Sequence, residues 1–174
     1  MKKKSVIIPL LILIILAVSL AVFAHTLVFN VLSGRVHFPE EYVGKNLKME
    51  DGKTFTVLRR LQVKGENNDT NGYAVFKVRF KFKSLKFETN KRLSMIPAPF
   101  LMGMGGFCEK YWTFNEDTGY FQGIYQWESK EIAEKYPDSF IYKLMTKRAA
   151  PGSLSYEIIP NTDISKYIKK LSSE

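Results

Sequence analysis

Two runs dense in aromatic and β-branched residues, 107–114 and 120–127, flank a short polar segment that ends in Gly119. This pattern reads as a β-hairpin, and it is the strongest constraint in the chain. The hairpin holds both tryptophans, Trp112 and Trp127, and the only cysteine, Cys108. Its register decides which side chains share a face, and the turn permits two answers. With Phe114 opposite Phe121, the residues Cys108, Lys110, Trp112 and Phe114 join Phe121, Gly123, Tyr125 and Trp127 in a nearly continuous aromatic wall. With a three-residue loop and Gly119 in the left-handed position, the register moves by one. Glu109, Tyr111 and Thr113 then join Tyr125 and Trp127 instead.

The cleanest strand signal lies at 73–83. Ala74, Phe76, Val78, Phe80 and Phe82 alternate with Val75, Lys77, Arg79, Lys81 and Lys83, giving one apolar face and one face that is basic from Lys77 onward. That basic face reads as a wet surface or, more sharply, as the wall of a cavity or dimer interface. An acidic cross-strand neighbour is expected for it. Glu157, in the strand signal at 154–159, is the natural candidate.

Between these strands, 84–96 reads as a helix with Ser84 or Thr89 as its N-cap, broken by Pro97 and Pro99. The glycine-rich stretch 103–106 follows no strand and reads as a connector. After the hairpin, Ser129 is expected to cap a helix over 130–147 that Pro137 kinks or splits. The segment 161–174 reads as a polar tail.

At the N-terminus, Lys2, Lys3 and Lys4 precede an apolar run over 6–32 in which no residue is charged. The run is long enough to cross a hydrocarbon core of about 30 Å. The lysines in front favour a cytoplasmic N-terminus and an extracytoplasmic domain. The rival is a cleaved signal peptide and a secreted domain, since Val22 and Ala24 are small residues at the positions a signal peptidase inspects. The run exceeds the 7–15 residues of a typical signal core, so an uncleaved anchor is preferred. Residues 1–32 thus form the lysine cluster and anchor, and 33–72 a connector with a hairpin turning at Asp51 and Gly52. Residues 73–160 form the folded α+β domain, and 161–174 the tail. The loop at 65–72 contains Asn68, Asp69 and Thr70 in the N-glycosylation pattern.

Several chemistries are excluded by what the chain lacks. Its only histidines, His25 and His37, lie outside the region with sheet signals. A Ser-His-Asp or Cys-His arrangement is therefore not expected, nor a metal site. There is no phosphate-cradling glycine loop. The net charge of +9 suits a solvated basic surface or an anionic ligand or lipid headgroup, and nucleic acid is not expected as a partner. Cys108 reads as a small buried hydrophobe, since no base can be named for it.

The order strand, helix, two strands, helix, strand over 73–159 matches the ferredoxin-like βαββαβ plan of the α+β class. On that frame, a set of residues resembles the YdhR-type monooxygenase family of the dimeric α/β-barrel superfamily. They are Val78 to Phe80, Arg92 to Phe100, Gly106 and Phe107, and Lys110 to Trp112. Thr118 and Gly119, Gln122 to Trp127, and Pro151 to Tyr156 complete the set. The resemblance covers about half of the chain and leaves the anchor and the 33–70 segment unaccounted for.

The resemblance implies a protomer whose sheet packs against a second copy, as a homodimer, with a cavity between each sheet and its helices. Members of the superfamily include cofactor-free oxygenases acting on aromatic or quinol-like substrates and haem-binding proteins. The pocket histidine that some of them use is missing here, so no cofactor is expected. The leading expectation is a membrane-anchored domain that binds a small hydrophobic or aromatic ligand through Arg92, Lys110, Trp112, Tyr125 and Trp127. The alternatives are a cofactor-independent monooxygenase acting on a quinol-like substrate, and a non-catalytic dimerisation or interaction module.

Overall fold

The structure, a computed structural model, describes residues 4–65 and 72–172. Lys2, Lys3 and the Asn68 glycosylation pattern lie outside the described residues. A helix, α1 (Lys4–Leu32), leads into β1 (Val36–His37), β2 (Asn46–Lys48), β3 (Thr54–Val63) and β4 (Ala74–Phe80). Two short helices follow, α2 (Phe87–Leu93) and α3 (Ala98–Met102), then β5 (Phe107–Asn115) and β6 (Tyr120–Trp127). The chain closes with α4 (Lys130–Lys135), a 3-10 turn at Tyr136–Asp138, α5 (Phe140–Thr146), β7 (Ser155–Ile159) and α6 (Ile164–Ser172).

The strands form one antiparallel sheet in the order β1-β3-β5-β6-β4-β7, with β2 also paired to β3. Its four strands β5-β6-β4-β7 carry the ferredoxin-like arrangement, in which the hairpin's second strand sits against the first strand of the unit. The segment expected as a connector is part of this sheet: β3 lies along β5, with Arg60 opposite Tyr111.

Local sequence explains where the helices depart from expectation. Leu85 holds a positive φ of 69°, which a right-handed helix cannot accommodate, so α2 begins at Phe87 and not at Ser84. Neither Ser84 nor Thr89 caps it. Pro97 and Pro99 do not simply end a helix; they open a new one, α3, where their missing N–H groups cost nothing. Ser129 caps α4 as expected, its hydroxyl accepting from the Ile132 amide. Pro137 then splits the following helix, and Ser139 restarts it as α5 by accepting from the Tyr142 amide.

The sheet is covered on both faces. One face packs Phe76, Val78, Trp112, Tyr125 and Trp127 against Leu101, Tyr136 and Ile141. The other packs Val57, Val75, Tyr111 and Ile124 against Ile164, Ile168 and Leu171 of α6. The polar tail is thus an amphipathic helix seated on the face expected to meet a second copy. A homodimer through that face requires α6 to leave it.

The same cover changes the reading of the basic strand face. Lys77 is half-buried at the edge of this cover: it pairs with Glu157 at 2.5 Å and Glu50 at 3.0 Å, both exposed, and also donates to the Tyr167 hydroxyl of α6. Arg79 pairs with Asp51 at 2.6 Å and donates to Gln122. Glu157 is the cross-strand partner of Lys77, as the alternation anticipates.

From Ile12 to Leu32, α1 is apolar enough to cross a membrane, with a mean hydropathy of 2.6. Its C-terminal end is not free of the domain. The Phe23 ring centre lies 5.9 Å from that of Phe100 on α3, and Asn30 Nδ2 donates to the Met102 carbonyl at 2.8 Å. Gly103 permits this approach: a Cβ there would lie 2.5 Å from the Phe23 ring.

Candidate functional site

The hairpin takes the first of the two registers, with Phe114 opposite Phe121, Trp112 opposite Gly123 and Lys110 opposite Tyr125. A bulge between Phe107 and Glu109 removes Cys108 from the aromatic wall. Burial, with Glu128 and Glu109 nearby, pushes the Cys108 thiol up to about 12, so it is no nucleophile at neutral pH.

On that wall Lys110 is 4% exposed. Its amine stands 4.1 Å from the centre of the Trp112 ring and 4.5 Å from that of Tyr125. Both contacts follow from the strand: Trp112 is two residues along the same face, and Tyr125 is the cross-strand partner. Gly123 makes the space. A methyl group there would lie 2.5 Å from the Tyr125 ring. Trp112 is itself fixed by its Nε1, which donates to the Ser94 carbonyl at 2.9 Å.

Lys110 forms no ion pair with a carboxylate among the described residues. Burial alone drives its amine well below the ordinary lysine range. The two rings work against that shift, since a desolvated cation over an aromatic face gains about 2 kcal/mol. Withdrawing an ammonium from water costs several kcal/mol even after relaxation. Desolvation therefore wins, and the amine is more readily neutral than any surface lysine.

A cavity of about 40 Å³ opens beside the amine, lined by Phe80, Ser94, Lys110, Trp112, Tyr125, Tyr136 and Tyr142 among others. The tyrosine rings form a chain, with Tyr125 and Tyr136 at 5.1 Å and Tyr136 and Tyr142 at 5.4 Å. The Tyr142 hydroxyl is buried without a hydrogen-bond partner. Burial, with Tyr156 nearby, pushes it up to about 12, so it stays protonated and able to donate. Met145 and Thr146 on α5 line the cavity and are only half-buried.

Of the five residues expected at the site, Lys110, Trp112 and Tyr125 line this cavity together. Trp127 lies one layer deeper, its ring 5.0 Å from Tyr136. Arg92 is exposed on α2 and does not line the cavity. Tyr136 and Tyr142 are the residues that sequence reasoning missed as site members.

A larger groove of about 510 Å³ lies on the other face of the sheet, bordered by Glu50, Asp51, Lys77, Arg79, Tyr156 and Glu157. Its charges are already paired with one another. Burial raises the Asp51 carboxyl, but the hydrogen bonds from Arg79 and Lys53 and the Arg79 charge together outweigh it and hold the group at about 2. No cluster of metal-ligating side chains occurs among the described residues.

No family model matches the chain, and no curated protein matches it. Three solved structures are similar in chain path. The heme-degrading enzyme of Listeria monocytogenes is 15% identical, with a TM-score of 0.48 over 64% of this chain and 73% of that one. An uncharacterised ferredoxin-fold protein related to antibiotic biosynthesis monooxygenases, also from Listeria monocytogenes, is 13% identical. Its TM-score is 0.48 over 74% of this chain and 92% of that one. A monooxygenase-like protein of Listeria innocua is 14% identical, with a TM-score of 0.48 over the same shares, 74% and 92%.

Proposed function

We propose that this chain is a membrane-tethered domain that binds a small, largely apolar molecule in the cavity beside Lys110. The observation that carries this reading is the Lys110 amine, held between Trp112 and Tyr125 at the wall of a cavity. A fold that needed only a packed core would gain by an apolar side chain there, because a buried amine without an acceptor is costly. The tether is α1, with the N-terminal lysines on the cytoplasmic side and the domain on the other. The cavity has room for a few heavy atoms, so a ring-sized ligand enters by displacing the half-buried Met145 and Thr146.

Saturable change of tryptophan emission tests this. Hydroquinone and small aldehydes titrated into the full chain in detergent micelles are expected to shift the emission, and Trp112→Phe is expected to remove most of the response. A flat titration in both proteins would sink the reading.

A second reading is cofactor-independent oxygenation of a quinol-like substrate, and the same amine favours it. No histidine among the described residues lines the cavity, but the Lys110 amine, which burial makes more readily neutral, is the basic side chain there that would take a phenolic proton. Oxygen uptake with a quinol panel, compared between the natural chain and Lys110→Met, separates the two. Uptake lost in the variant supports oxygenation, and equal uptake in both removes it.

A further inference from the structure

The binding reading leaves open what kind of molecule the cavity takes, and the chemistry of its wall narrows that. The one basic side chain there is an amine held away from water. Tyr142, a buried hydroxyl with no partner, lines the same cavity. A volume of about 40 Å³ corresponds to roughly three water-sized positions, enough for a molecule of a few heavy atoms. A carboxylate ligand would need the amine charged and would bring a second charge into the same dry space. A carbonyl needs the opposite, an amine that readily gives up its charge and a proton donor on the same wall; burial favours the first, and Tyr142 lines the same cavity.

We propose that the cavity captures a small aldehyde or ketone as an imine on Lys110 Nζ. This deepens the binding reading and rests on it. The amine's lone pair attacks the carbonyl carbon, forming the C–N bond as the C=O π pair moves to oxygen. A proton passes from nitrogen to that oxygen to give a carbinolamine. The C–O bond then breaks with Tyr142 donating to the departing hydroxyl, so one water leaves, and the nitrogen's remaining proton restores Tyr142. The sum is amine plus carbonyl giving imine plus water, with no change of oxidation state. Burial is what makes Lys110 reactive, because each unit by which its pKa falls below that of a surface lysine raises the neutral fraction about tenfold.

The test uses the full chain in detergent micelles with acetaldehyde as probe and sodium cyanoborohydride to fix any imine, followed by peptide mass mapping at neutral pH. Lys110 is expected to be alkylated at least about tenfold faster than exposed lysines such as Lys130. Lys110→Arg is expected to lose the mark, and Tyr142→Phe, with an unchanged near-ultraviolet circular dichroism spectrum, is expected to slow it. Modification of Lys110 no faster than that of Lys130 overturns the proposal, as does an unaltered rate in Tyr142→Phe for Tyr142's part. Acetaldehyde that shifts Trp112 emission saturably but leaves no mark overturns the imine and leaves the binding reading standing. Neither response to acetaldehyde, and none to hydroquinone, overturns both.

Discussion

Lys110 carries its amine 4.1 Å from the centre of the Trp112 ring, two residues along one face of β5, and nothing acidic meets it among the described residues. That relationship sets a cost against a use. A side chain that only filled space would be better apolar, since replacing a buried, unpaired polar group with one of similar shape is neutral or stabilising. Lys110→Met is therefore expected to stabilise the chain by about 1 kcal/mol while abolishing the ligand response. Thermal denaturation in detergent, set beside the tryptophan titration, checks both halves.

The same amine makes stability depend on pH. Its folded pKa lies below the unfolded one near 10.4, so between the two values the unfolded chain binds more protons than the folded one. Stability should then rise with pH across that window and be lost as pH falls through the folded pKa. The advantage of Lys110→Met over the natural chain, about 1 kcal/mol, is expected to shrink toward zero between pH 7 and pH 9.5. Urea titrations of the two proteins at both pH values give the difference. A constant gap would mean that Lys110 keeps its proton.

Gly123 sits opposite Trp112, where a methyl group would meet the Tyr125 ring at 2.5 Å. Overpacking of this kind costs about 1–3 kcal/mol. Gly123→Ala is expected to lower the melting temperature accordingly and to shift the Trp112 emission, because the displaced Tyr125 ring moves against a cavity wall that Trp112 shares.

On the other face, Arg60 Nε donates to Glu109 at 2.5 Å, and both side chains are buried. Arg60→Met leaves the buried Glu109 carboxylate without its cation, with Gln62 Nε2 at 3.5 Å still donating to it, and is expected to cost about 3–5 kcal/mol. The double change Arg60→Met with Glu109→Met should cost much less than the sum of the single ones, measured as a double-mutant cycle by urea denaturation.

Removing residues 161–174 uncovers Val75, Tyr111 and Ile124, which α6 shields. The shortened chain is expected to self-associate at concentrations where the full chain does not, as read by sedimentation velocity in matched detergent. Within the full chain, Ile168→Ala should cost about 2–5 kcal/mol, since Ile168 is fully buried.

The sheet was legible in the sequence because its signals are local. Alternation over 73–83, the aromatic runs of the hairpin and the Asp51-Gly52 turn each declare a strand or a reversal within about ten residues. The cavity was half legible: the register that brings Lys110, Trp112 and Tyr125 together was one of two the turn allowed. Tyr136 and Tyr142 were hidden because a helix over 130–147 that Pro137 either kinks or splits leaves open which way its side chains face the sheet. The role of 161–174 was hidden for another reason. Its four buried residues, Ile164, Tyr167, Ile168 and Leu171, lie at helical spacing among lysines and serines, and only the sheet they meet gives them meaning. Cys108 shows the limit of counting by twos, since one bulge moved it off the wall.

The packing of α1 on α3 bears on how the domain is carried. The last turns of the helix are held by Phe23 against Phe100 and by Asn30 on the Met102 carbonyl, before the chain reaches β1. A domain hung from a slack cord would sample every orientation; this one is mounted as a head on a shaft. These contacts join the end of the helix to α3, so a change in its tilt is expected to turn the domain with it.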